Sequence, residues 1–130
     1  MNEQTEYWFT IADYDIETAR VMLLGGRYLY VGFMCHQVIE KALKGIIARD
    51  LIEGVMPPKI HHLLKLAELA GLYNVMSSEQ QAFIKKLNPL NVTARYPQYK
   101  EAIASGLNAK VCGEFLTGTE ELLCWIKQQL

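Results

Sequence analysis

Apolar positions recur at helical spacing along most of the chain, and strand-like alternation persists nowhere. In the first segment Trp8, Ala12, Ala19 and Leu23 share one face, while Asp13, Glu17 and Arg20 fall opposite. Gly25-Gly26 ends that helix, because glycine takes a left-handed cap without strain. A second helix is predicted from about Tyr30 to Ala48. There Val31, Cys35, Val38, Ile39, Ala42, Leu43 and Ile46 form one broad apolar arc, and Gln37, Glu40, Lys41 and Lys44 form the other. So wide an arc predicts contact with more than one neighbouring helix.

Pro57-Pro58 breaks the chain, since neither residue donates a backbone hydrogen bond. A short helix is predicted from about His61 to Ala70, stopped by Gly71. Ser77-Ser78 ahead of Glu79-Gln80-Gln81 reads as a capping box opening the next helix, which should end near Asn88 because the residue before Pro89 is driven from the α region. The stretch 90–106 reads as irregular. Asn108 is placed to cap a last helix with Val111, Phe115, Leu122, Trp125 and Ile126 at helical intervals. The expected fold is all-α, an antiparallel up-and-down bundle of four to five helices.

Composition narrows the classes of function. Thirteen basic against fourteen acidic side chains leave no global field to draw the protein onto nucleic acid or an anionic membrane, so any basic site must be local. No apolar run reaches the roughly 18 residues of a membrane span, and the polar, acidic start is unlike a signal peptide. Cys35, Cys112 and Cys124 are odd in number and widely spaced, which argues against a disulfide framework or zinc knuckle. Buried free thiols in a reducing cytoplasm are the simpler reading.

Candidate chemistry falls in four places. Asp15 lies between Ala12 and Ala19 on the inward stripe of the first helix. An unpaired carboxylate there is costly, so it either reaches solvent at the helix edge or turns to a basic group or ligand between helices. His36, Glu40 and Lys44 follow at four-residue spacing, with Gln37 and Lys41 beside them. A solvated polar face is the plain account, against which His36 stands at the apolar–polar boundary, where an imidazole could be partly desolvated. His61-His62 point apart and have no carboxylate or cysteine near them in the chain, so no metal is expected; one should cap or pack at a helix start and the other be exposed. Arg95 and Tyr96, before Pro97, combine a planar fork suited to phosphate or carboxylate with a stacking face. Arg95 could equally pair with a bundle acid such as Asp15. Asp15, the Gln37–Lys44 face and the Arg95-Tyr96 loop are expected to meet in one polar pocket.

Taken in order, Ala12-x-x-Asp15-x-x-x-Ala19, Tyr28 with Phe33, His36-Gln37-x-x-Glu40-Lys41-Ala42-Leu43-Lys44, Pro57-Pro58-x-x-His61-His62-Leu63 and Ala94-Arg95-Tyr96-Pro97 resemble the HEPN domain. The likeness runs from about Trp8 to Trp125, so residues 1–130 read as one HEPN-like domain. It implies a helical bundle, frequently a homodimer, and often the partner of a minimal nucleotidyltransferase in toxin–antitoxin-like systems. Many members are metal-independent endoribonucleases through an Arg-x(4–6)-His motif at the dimer interface; others bind nucleotides or act as noncatalytic partners. Here no histidine follows Arg95. The expectation is therefore a noncatalytic cytoplasmic module without cofactor, binding a nucleotide, RNA or a protein partner through Asp15, His36, Gln37, Glu40, Lys41, Lys44, Arg95 and Tyr96. A divergent ribonuclease using Arg95 and a spatially recruited histidine is the alternative, and a purely structural interaction domain is a third reading.

Overall fold

The computed structural model describes residues 2–93 and 106–130. Among them every regular element is helical: α1 (Glu3–Leu24), α2 (Tyr28–Arg49), α3 (Leu63–Leu69), a 3-10 turn (Tyr73–Val75), α4 (Ser78–Leu87), the single turn α5 (Leu90–Thr93) and α6 (Ala109–Lys127). The fold is an all-α bundle, and no helix of the described residues is long and apolar enough to cross a membrane.

The helix ends follow local chemistry. Asn2 caps α1 by accepting from Thr5 N. At its other end Gly26 is left-handed (φ 71°), and Arg27 N and Gly26 N bond the carbonyls of Met22 and Leu23, closing a Schellman turn into α2. Gly71 (φ 74°) ends α3 in the same way. The capping box sits at Ser77 and Gln80, and Asn108 Oδ1 accepts from Val111 N at the start of α6. Leu90–Thr93, read from sequence as irregular, instead forms a helical turn against α2.

The core centres on α2, which packs against α1, α3, α4, α5 and α6. The buried stripe of α1 is Thr5, Phe9, Ala12, Ile16 and Ala19, so Trp8 and Leu23 border the core rather than lead it. Gly45 permits this close approach. A Cβ there would stand 2.7 Å from the Phe9 ring, and the Gly45 carbonyl accepts from Thr5 Oγ1 at 3.0 Å. On α6 the buried face is Cys112, Leu116, Thr119, Leu122, Leu123 and Ile126, while Val111, Phe115 and Trp125 are half-buried. Cys35 and Cys112 are buried free thiols, but Cys124 is exposed, contrary to the sequence expectation for all three.

Candidate functional site

The polar arc of α2 is not a solvated face. Glu40 and His36 are wholly buried, Lys44 and Gln37 nearly so, and Lys41 is half-buried. Helix α2 is enclosed on both arcs because α1 covers one flank and the segment leading into α3 covers the other.

Glu40 is the hub. Its Oε2 accepts from Lys44 Nζ at 3.0 Å and stands 3.6 Å from Lys41 Nζ. Its two oxygens lie 3.0 and 3.1 Å from His61 Nδ1. Burial pushes this carboxyl upward, but the Lys44 hydrogen bond and charge, with Lys41 and His61, more than offset that and hold it below the usual range. Lys41 Nζ also donates to Gln37 Oε1 at 3.1 Å. Both ammonium groups lie 5.8 Å from the Trp8 ring centroid, so α1 meets the cluster through an aromatic face.

His36 is the electrostatic oddity. Its Nδ1 is 3.6 Å from Glu40 Oε1, and neither ring nitrogen has a well-formed hydrogen bond among the described residues. Burial dominates and lowers its pKa to about 4, against the upward pull of Glu40 and of the adjoining His61 main chain. The ring is therefore a neutral imidazole at pH 7. Asp15 is half-buried on α1; burial raises its pKa and the charge of Lys41 pulls it back.

The structure thus brings His36, Gln37, Glu40, Lys41 and Lys44 together, with Asp15 coupled to them through Lys41. Arg95 and Tyr96 lie outside the described residues. Sequence reasoning left out two members, Trp8 and His61. Trp8 is seven residues before Asp15, two turns along the same face of the helix, a spacing that could have pointed both toward the same neighbour. His61 has no carboxylate near it along the chain, yet Glu40 reaches it across 21 positions. His62 takes the capping role, accepting from Lys65 N at 3.3 Å, and both histidines are exposed, His61 reaching inward to Glu40 through Nδ1 alone. Among the described residues no group of three His, Cys, Asp or Glu side chains could hold a metal ion.

The arrangement can hold one buried negative charge, present a partly exposed ammonium and imidazole at its edge, and fix the entry to α3. Comparison with known proteins gives a consistent picture. The crystal structure of TT1696 from Thermus thermophilus superposes with a TM-score of 0.79 at 23% identity, covering 99% of this chain and 100% of that one; that likeness is one of fold. ST0689, an archaeal HEPN homologue, superposes with a TM-score of 0.75 at 25% identity, covering 98% of each chain. No curated protein matches the sequence significantly. The family model described as HEPN domain matches residues 5–129, so the chain belongs to the HEPN family.

Proposed function

We propose that this protein is a noncatalytic, homodimeric HEPN module of the cytoplasm. Its Glu40-centred cluster receives an anionic ligand, a nucleotide or RNA phosphate, in partnership with a minimal nucleotidyltransferase. The observation that carries this reading is Lys41. Its ammonium is partly exposed and, among the described residues, hydrogen-bonds a neutral amide; Glu40 Oε2 stands off at 3.6 Å, the Trp8 ring lies beside it, and the half-exposed His61 shares the same carboxylate. Lys44, by contrast, is committed to Glu40 inside the fold. A phosphate replacing the Gln37 amide oxygen would gain a charge-assisted bond to Lys41 without breaking the buried pair. HEPN domains commonly dimerise, which supports the homodimer.

Calorimetric titration with ATP, and with a short single-stranded RNA, tests the reading. Wild type should bind at least one of them. Lys41→Ala should weaken binding by about tenfold to a hundredfold, the loss of one charge-assisted hydrogen bond worth about 1.5–3 kcal/mol. Arg95→Ala should weaken it as well. Absence of binding by wild type would leave only the interaction-domain reading.

One observation favours a second reading. Glu40 holds His61 through Nδ1, leaving Nε2 on the far side of a ring whose side chain is 48% exposed. A carboxylate-oriented imidazole is the form a general base takes. The same protein should nevertheless leave RNA intact, because no histidine follows Arg95 to act as the second proton-transfer group. Cleavage abolished by His61→Ala would promote the ribonuclease alternative.

A further inference from the structure

The outward face of α1 carries Tyr7, Ile11, Tyr14, Thr18 and Val21, spaced alternately by four and three residues. That is the spacing of a two-stranded helical seam, held over about 21 Å of helix. These side chains do not belong to the core. Tyr7 is 59% exposed, Tyr14 72% and Val21 61%. No charged residue occupies any of the five positions. The hydroxyls of Thr10 and Thr18 are already satisfied by the helix itself, since Thr10 Oγ1 donates to the Glu6 carbonyl and Thr18 Oγ1 to the Tyr14 carbonyl. Covering the face would strand neither hydroxyl.

We propose that this face of α1 is the homodimer seam, two copies of α1 packing antiparallel about a two-fold axis at Tyr14. The inference rests on the homodimeric reading given above and specifies its surface. The stripe is symmetric about Tyr14, with Tyr7 and Val21 equally far from it along the chain. Read from either end the steps alternate between three and four residues, so facing positions stay within one residue of register. Antiparallel pairing sets Tyr7 against Val21 of the other copy, Ile11 against Thr18, and Tyr14 against itself. A two-fold interface requires this self-matching.

Charge at the helix ends sets the direction of pairing. The first turn of α1 carries Glu3 and Glu6. Just past the other end stands Arg27, exposed and in no ion pair among the described residues. Antiparallel pairing brings each acidic end toward the Arg27 of the other copy; parallel pairing would set acid against acid and Arg27 against Arg27. The seam also borders Met22, which opens onto a shallow apolar groove with Tyr30, Phe33 and Met34, so the apolar surface continues beyond α1.

Sedimentation velocity at micromolar concentration, run beside circular dichroism, tests the seam. Wild type should sediment as two chains, and Tyr14→Glu/Val21→Glu as one with unchanged helicity. Val75→Glu, at an exposed site on the 3-10 turn, should remain a dimer. In a Cys124→Ser background, Tyr14→Cys should cross-link to a disulfide dimer under mild oxidation, a result that does not depend on tolerance of a buried charge. A double glutamate variant that stays dimeric, or wild-type dimers whose Tyr14→Cys form does not cross-link, would overturn the seam while leaving the dimer. Wild type sedimenting as one chain would overturn both. Ligand binding is read by a separate titration, so its failure is distinguishable from either.

Discussion

At the scale of single residues, His36 makes a consequence of burial measurable. The unfolded chain takes up a proton at this imidazole near pH 6.5, whereas the folded chain resists it until about pH 4. Its contribution is therefore fully present above pH 6.5 and is lost as pH falls toward 4. Between pH 7 and pH 5 the linkage amounts to about 2 kcal/mol. Glu40, held below its usual range, adds to the loss at still lower pH as it too must be protonated. Urea unfolding at pH 7 and pH 5 should show the drop, and His36→Gln should flatten it. Equal stabilities for wild type at the two pH values would mean that the ring is not buried as described. This chemistry was only half legible in the sequence. The i, i+4 series of His36, Glu40 and Lys44 was visible, but an amphipathic pattern cannot say that a second layer covers the polar arc. Trp8 of α1 and His61 ahead of α3 contribute to that layer, and the sequence holds no register by which His61 could be assigned to Glu40.

At the scale of elements, the α1–α2 pair depends on one absent side chain. Replacing Gly45 with alanine gains about 1 kcal/mol of helix propensity. The new Cβ must also share space with the buried Phe9 ring, with Trp8 Cβ just beyond at 3.3 Å, and overpacking of that kind costs about 1–3 kcal/mol. Gly45→Ala should therefore lower the urea midpoint; a higher midpoint would mean that α1 can move outward freely. Helix boundaries marked by Gly26, Gly71, Ser77 and Asn108 were readable because each is decided by a few neighbouring residues. Phe9 and Ile16 were not singled out as core on α1, since apolar side chains lie on both its faces: one set buried, the other forming the Tyr7–Val21 stripe. Periodicity alone does not say which set a neighbouring helix will cover.

At the scale of the whole molecule, α2 organises the bundle, and Asn2 and Gln129 both bond to it. Asn2 Nδ2 donates to the Ala48 carbonyl, and Arg49 Nη1 donates to the carbonyl of Gln129. Adjacent residues near the C-terminal end of one helix thus hold the first and last described turns of the bundle. The order in which the helices are strung is then separable from the way they pack. A linker of about six Gly and Ser residues, spanning about 13 Å, could join residue 130 to residue 2. New ends could open at Gly54, an exposed turn residue with φ 88° whose surroundings are open. Such a circular permutant should keep its helical circular dichroism and lose little of its urea stability. A permutant that fails to fold would mean that the chain's connectivity, and not only its packing, is needed to assemble the bundle.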